Sequence, residues 1–364
     1  MLTNKPNVSN IPATGRRLVF TGKNAVELQA FDLPAPAAGE VLIETSYSLM
    51  STGTETIVFA QKFDPGTHWD AWVRYPFRPG YSAVGRVLAV GAGVEGIAVG
   101  KRVATRTGHG SHVVLKAEGA YPIPDEVESQ DAIWFALAKI AGHGARAAQL
   151  SLGQSVVVIG AGPIGQMAAR WALTSGASRV LIADLAEERL KLAARIGAIP
   201  VKGSAAETTA EVRRLLGGAR PNVVIDSTGN SEVLKSAFGM VETEGTVVLL
   251  GDTGAPTEQR LTGDVISRGL KLVGAHDGRN SPAWNNAVAA DCFFEFLRTK
   301  RFNVDGLITH QFQPSECAEA YRLASTDRLK TMGMLFDWST AGIDTLHETA
   351  APAANIPALA GSAH

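Results

Sequence analysis

The sequence predicts an α/β protein of two dissimilar domains: a β-rich, partly open barrel and, behind it, a doubly wound parallel sheet. Three observations carry this reading. A chain of 364 residues exceeds one ordinary domain and suits two or three. From Arg17 to about Lys116, short alternating runs are broken by Gly and Pro, as in half-buried strands. From about residue 150 to 280, five apolar runs alternate with helix-like segments, as in βαβ units.

Residues 1–15 are polar, lack an apolar core ahead of the Arg16–Arg17 pair, and read as a flexible arm. Residues 16–149 form the first part of the barrel domain, with strands at RRLVF, AVELQAF, EVLIETSYS, AVGRVLAVG, KRVATR and SHVVLK. An irregular stretch among them holds Trp69, Trp72, Tyr75 and Phe77, which either line a pocket or fill the space under a long loop. Residues 131–149 read as one apolar helix. The second domain, 150–280, has its strand-like runs at 155–160, 179–184, 222–227, 246–251 and 270–275. Residues 281–339 return to the first domain through a helix-like stretch, ITHQF, a second helix and a closing strand at KTMGMLFDW. The Ala-rich segment 340–364, with Pro352 and Pro357, has no periodicity and reads as a disordered tail.

Composition excludes several functions. Lys and Arg number 34 against 35 Asp and Glu, so no basic excess exists to neutralise a nucleic-acid backbone. Cys292 and Cys317 are the two cysteines, too few for a disulfide scaffold or a four-cysteine zinc lobe. No run of about 18 uncharged apolar residues occurs, so no membrane span is expected. The expectation is a soluble, cytoplasmic protein with a small-molecule substrate.

Gly160-Ala161-Gly162-Pro163-Ile164-Gly165 matches G-x-G-x-x-G. It follows an apolar strand and opens a helix, the context that gives the pattern meaning. Gly160 permits the tight turn, Gly162 lets backbone approach a pyrophosphate, and Gly165 lets helix and strand pack closely. Pro163 and Ile164 start the helix whose N-terminus faces the phosphates. Asp184 ends the next strand, about 20 residues on, where a carboxylate accepts bonds from the adenosine ribose hydroxyls. That carboxylate repels a 2′-phosphate, Leu185 and Ala186 supply no guanidinium, and Arg189 is a helical turn away. The block is therefore read as a Rossmann domain that prefers NAD(H). Thr228, Gly229 and Gly251 sit at later strand ends and either face the cofactor or make ordinary strand-to-helix turns.

Several strings now carry a resemblance. GEVLIETSYS, PGYSAVGRVLAVGAGVEGIAVGKRV, VIGAGPIG, and LITHQF followed by ECAEAYRL are similar to the medium-chain dehydrogenase/reductase superfamily over about residues 16–338. The resemblance implies a GroES-like catalytic domain around the Rossmann domain. Members with catalytic zinc hold it by Cys, His, Glu and a later Cys or Asp. The corresponding positions here fall in Met50-Ser51-Thr52-Gly53-Thr54-Glu55, at Tyr81-Ser82 and near Leu137, without a thiolate or imidazole. The resemblance therefore implies no metal. His109 and His112 lack a thiol or carboxylate neighbour in sequence and read as an exposed turn with one histidine at a pocket edge. Ser51-Thr52-Gly53-Thr54-Glu55 with Pro79-Gly80-Tyr81 resembles a zinc-lacking branch that includes bacteriochlorophyllide a dehydrogenase, whose reaction oxidises a secondary alcohol with NAD.

Without zinc, a side chain or water relay must manage the alcohol proton. Candidates are Thr52, Thr54, Glu55, Tyr81, Lys139 and His143. Glu55 is a base or orients a hydroxyl; Tyr81 is a proton relay if Lys139 lowers its pKa, or a filler of the lost metal site; Lys139 otherwise pairs Glu55; His143 titrates in the useful range or is a plain helix residue. His310 and Cys292 read as structural. The expected function is NAD(H)-dependent interconversion of a bulky secondary alcohol and its ketone. A zinc-free quinone or enone reductase and a non-catalytic dinucleotide-binding protein are the alternatives. The last Rossmann strand, 270–275, is expected at the sheet edge, where pairing with its own copy makes a homodimer.

Overall fold

The computed structural model describes residues 11–339. Most of the arm and all of the Ala-rich tail lie outside the described residues. The first domain contains β1 (Thr14–Gly22), β2 (Ala25–Asp32), β3 (Glu40–Met50), α1 (Thr52–Ala60), α2 (His68–Trp72), β4 (Ala83–Val90), β5 (Arg102–Thr105), β6 (His112–Lys116) and β7 (Ala120–Pro122). Two helices follow, α3 (Ser129–Ala132) and α4 (Phe135–Ala147). The second domain runs β8 (Ser155–Ile159), α5 (Pro163–Thr174), β9 (Arg179–Asp184), α6 (Glu187–Ala194), β10 (Ile199–Lys202), α7 (Ala205–Leu215), β11 (Val223–Asp226), α8 (Ser231–Met240), β12 (Thr246–Leu249), α9 (Gly263–Ser267) and β13 (Lys271–Gly274). The return consists of α10 (Asn286–Arg298), β14 (Ile308–Phe312), α11 (Cys317–Thr326) and β15 (Gly333–Asp337).

The second sheet is wholly parallel, in the order β10-β9-β8-β11-β12-β13, with helices in the crossovers. This is the doubly wound Rossmann order. β10 is a sixth strand absent from the sequence reading. It holds Pro200, which demotes a run as a strand and lacks an N–H for the ladder. The strand survives because it pairs β9 alone, at the sheet edge. β13 takes the opposite edge.

The first domain has a seven-stranded sheet in the order β14-β15-β3-β4-β5-β7, with β6 also on β3, and a separate β1-β2 hairpin. The hairpin starts inside the segment read as an arm: Thr14 and Gly15 pair with Asp32 and Phe31. β15 lies antiparallel to β3, so the return strand completes the domain that the chain left at α4. The single helix read over 131–149 is two, α3 and α4, separated at Ile133-Trp134. α4 presents Phe135, Ala136, Leu137 and Ala138 to the main core, which spans both domains. The small residues of α4 let α5 approach, and the Trp171 indole donates to the Ala138 carbonyl at 2.8 Å. Among the described residues no helix is long and apolar enough to cross a membrane.

Candidate active site

The cofactor side is built on the turn from β8 to α5. Gly160 has φ +92°, a left-handed conformation that a side chain resists. A Cβ on Gly165 would overlap the Gly160 carbonyl, so that position also excludes one. Gly162 caps α5 with extended backbone and Pro163 occupies the first turn, where its missing N–H costs nothing. Asp184 ends β9 with both oxygens engaged, accepting from the Ala161 N–H at 2.6 Å and the Ala186 N–H at 2.7 Å. The carboxylate is thus fixed to the glycine loop itself.

Arg189 is nearer than its place in the sequence implied. Its Nη1 lies 3.5 Å from where a Gly162 side chain would start. Its guanidinium donates to the carbonyls of Arg328 and Thr331, and burial holds its pKa below the ordinary value while the Asp184 charge opposes that shift. At the ends of β11 and β12, the Thr228 N–H and hydroxyl both donate to Asp226, at 2.8 and 2.6 Å. Gly229 has φ +68°, and Gly251 abuts its backbone too closely for a Cβ. Thr228, Gly229, Asp252 and Thr253, with Ile57 and Lys62 from the barrel domain, line a cavity of about 250 Å³. It opens at the carboxyl ends of parallel strands, where ligands of such sheets bind.

On the barrel side, β3 delivers Ser51 and α1, and the turn before β4 delivers Tyr81. The Tyr81 hydroxyl donates to Ser51 Oγ and lies 3.5 Å from Thr54 Oγ1. Burial raises its pKa, so the phenol stays protonated; this corrects the expectation that Lys139 lowers it. Lys139 faces another partner. Its Nζ is 2.8 Å from Asp277 Oδ1 and donates to the Asp277 carbonyl at 3.0 Å. Its side chain is 2% exposed and its ion pair is made with Asp277, in place of the pairing with Glu55 that the sequence suggested. Arg106 shares the carboxylate, with Nη2 at 2.5 Å from Asp277 Oδ2 and its guanidinium carbon 5.3 Å from the Tyr81 ring centroid. Burial lowers the Lys139 pKa, and Asp277 resists that shift. Burial works to raise the Asp277 pKa, but Arg106 and Lys139 together hold it below the ordinary value.

His143, one turn along α4, completes the group. Burial first, then the Lys139 cation, lowers its pKa to about 4. It is neutral at pH 7, and its Nε2 is buried without a hydrogen-bond partner. Its ring stands edge-on to Trp284 at 6.4 Å. The structure thus joins Tyr81, Lys139 and His143 through Arg106 and Asp277, two residues the sequence reading missed. Their signal was positional: each follows directly, or within three residues, a strand end (β5 and β13).

Glu55 and Thr52 lie behind the Tyr81 hydroxyl, on the core side of Ser51. Glu55 is 2% exposed and accepts from the Ser51 N–H at 2.7 Å and the Tyr321 hydroxyl at 2.5 Å. His109 Nε2 is 3.0 Å from the same carboxylate, and its Nδ1 is 2.7 Å from Ser48 Oγ, to which the Trp338 indole also donates. This closed network ties α1, β3, α11 and β15 together. It corrects one expectation, since His109 is buried, not on an exposed turn, and it engages Glu55 with Ser51, Tyr321 and His109 in the core. Thr52 is buried in the first turn of α1, where its carbonyl accepts from Thr56 Oγ1 at 2.6 Å. Trp69 packs in a core cluster with Val73 and Phe77, while Trp72 remains 43% exposed.

Residues 37–125 match the family model described as alcohol dehydrogenase GroES-like domain, and residues 163–291 match that described as zinc-binding dehydrogenase. The chain belongs to the medium-chain dehydrogenase/reductase superfamily. The L-threonine 3-dehydrogenase of Anaeromyxobacter sp. (strain K) is 28% identical over 347 residues, covering 85% of this chain and 95% of that one. A dehydrogenase of Sinorhizobium meliloti 1021 solved with NADP superposes with TM-score 0.76 at 18% identity, over 90% of this chain and 100% of the other. An alcohol dehydrogenase of Escherichia coli CFT073 solved with NADH gives TM-score 0.75 at 22% identity and the same coverages, 90% and 100%.

The residues at the positions that the resemblance assigns to zinc ligands do not fit that metal. Ser51 and Tyr81 bond to each other, the Ser82 hydroxyl donates to the Ile133 carbonyl at 2.5 Å, and Leu137 is fully buried in the core. Hydroxyls and a leucine do not replace the thiolate and imidazole ligands that hold tetrahedral zinc.

Proposed function

We propose that this protein is a zinc-independent, NAD(H)-dependent oxidoreductase that interconverts a bulky secondary alcohol and its ketone, as in the zinc-lacking branch. The observation that carries the reading is the Tyr81–Arg106–Asp277–Lys139 cluster beside the positions zinc ligands would occupy. The glycine loop 160–165 and the start of α5 would hold the pyrophosphate, Asp184 the ribose hydroxyls, and Thr228, Gly229 and Gly251 the path toward the reacting end. When bound, the nicotinamide accepts or returns the hydride. Tyr81, kept protonated by burial, turns its one hydroxyl proton from Ser51 Oγ to the substrate oxygen when substrate is bound. Arg106 and Lys139 share one carboxylate, leaving one net positive charge that favours an alkoxide over a neutral alcohol. His143 stays neutral beside this charge, its pKa held at about 4 by burial and the Lys139 cation, so the displaced alcohol proton leaves to water. The name of the threonine dehydrogenase relative supports an alcohol substrate.

The test is reduction of NAD by a panel of secondary alcohols, with enones and quinones offered alongside NADH. Turnover of alcohols and ketones supports the proposal. Turnover of enones or quinones alone replaces it, and no turnover favours a binding protein.

NADH is expected to bind at least about tenfold more tightly than NADPH, a difference of about 1.4 kcal/mol from Asp184 repelling the extra phosphate. Fluorescence titration measures both constants, and equal or tighter NADPH binding contradicts the assignment. Asp184→Ser narrows the gap, because Arg189 then faces a phosphate without an opposing carboxylate.

We also propose a homodimer through β13. Its free edge carries Leu272 and Val273, and the preceding segment exposes Leu261 and, at 90%, Ile266. Light scattering is expected to give about twice 38.3 kDa. A monomer at micromolar concentration contradicts this, and a folded Val273→Pro variant that remains dimeric moves the interface elsewhere. The two free cysteines suit the reducing cytoplasm, where we place the protein.

A further inference from the structure

A second set of side chains, away from the Tyr81 cluster, has the chemistry of a metal site. His68 on α2, Asp252 beyond β12 and His276 beyond β13 each offer a ligand atom, and these atoms all lie within 4.8 Å of one another. His68 Nε2 is 2.8 Å from Asp252 Oδ2, and His276 Nε2 is 3.8 Å from the same oxygen. The imidazole rings stand 5.9 Å apart at 81°. Tetrahedral zinc with bonds of about 2.0–2.1 Å keeps its ligand atoms about 3.3 Å apart, a spacing that lies between the two histidine-to-Asp252 distances.

The backbone around the trio is already fixed. The Trp69 indole donates to the Thr253 carbonyl at 3.0 Å, the Asp64 N–H to the Gly254 carbonyl at 2.7 Å, and Thr257 Oγ1 to Asp64 Oδ2 at 3.1 Å. These bonds seat the loop bearing α2 on the Rossmann strand ends, which fixes the backbones of the ligand residues relative to one another.

We propose that His68, Asp252 and His276 bind one divalent transition metal, zinc foremost, which clamps the barrel-domain loop to the Rossmann sheet. Two imidazoles in three ligands select zinc, cobalt, nickel or copper over magnesium and calcium, which take oxygen sets. Three protein ligands leave a coordination position for water. The site uses none of Ser51, Tyr81, Ser82 or Leu137, so it is distinct from the zinc position that the superfamily implies. Asp252 also lines the 250 Å³ cavity, which puts the ion at the mouth of the cofactor cleft. One cost is visible. His276 Nδ1 accepts from the Gly278 N–H at 3.1 Å, and ligation through Nε2 moves the ring proton to Nδ1 and ends that contact. With all three groups exposed, this keeps the affinity micromolar.

The test is zinc titration of the chelator-treated full chain by calorimetry, with the cobalt adduct followed by absorption. The expected result is one ion per chain and visible cobalt bands without the intense near-ultraviolet band of a thiolate ligand. His68→Ala, His276→Ala and Asp252→Asn should each weaken binding at least about 30-fold, or about 2 kcal/mol, while His310→Ala, at a half-buried histidine on β14, changes nothing. Thermal melts establish that each variant is folded. A wild-type Kd weaker than about 1 mM overturns the proposal, as does binding that survives in any one of the three ligand variants.

Discussion

Tyr81→Phe is expected to lower kcat by about 10²–10³-fold, the range for losing one positioned hydrogen-bond donor to a developing oxyanion. The variant removes one oxygen from a half-buried ring and keeps the packing of Arg106 over its face. Folding and NADH affinity should therefore remain near wild type, separating a chemical role from a structural one. Ser51 Oγ and Thr54 Oγ1 each lose the phenol as a partner. A Tyr81→Phe enzyme with more than half of wild-type kcat would make the phenol a filler of the space where the superfamily's zinc ligands converge. Lys139→Met acts on the same oxygen through charge, so the double variant should lose less than the product of the two single losses.

Glu55→Ala is the largest expected stability loss, about 3–5 kcal/mol, because it strands the buried His109, the Tyr321 hydroxyl and the Ser51 N–H together. Calorimetry should show the melting temperature down by roughly 5–15 °C. Glu55→Gln keeps the shape and one acceptor oxygen. Its turnover per folded molecule should stay within about threefold of wild type, whereas a general base would lose about 10² or more. A Gln variant that is stable but inactive would return Glu55 to the chemistry.

The Rossmann half was readable because its signals are local. A glycine loop, an apolar strand before it and a carboxylate about 20 residues later are all fixed by sequence spacing. β10 escaped because Pro200 argues against a strand unless the strand is known to be an edge, and edge position is a tertiary property. The reacting side was readable as a set of residues but not as a set of pairs. Lys139 meets Asp277 across 138 positions, and Glu55 meets Tyr321 across 266. Neither pairing has a periodicity to announce it. The distinction between Glu55 and Tyr81 also depends on direction: α1 turns Glu55 into the core, while the turn before β4 aims Tyr81 at Ser51 and Arg106. His109 illustrates the same limit. A histidine between two glycines reads as exposed until Gly80, opposite it, proves to leave room for its ring.

The most direct test of a zinc-independent alcohol oxidoreductase combines metal analysis with turnover on one sample. The protein is stripped with chelator, its zinc content measured, and NAD reduction assayed with the best secondary alcohol from the panel. The account predicts full activity at under about 0.1 zinc per chain, with Tyr81 and Lys139 supplying the oxygen stabilisation that a metal otherwise provides. Activity that vanishes on stripping and returns with one equivalent of zinc, in the wild type and in His68→Ala alike, would contradict it.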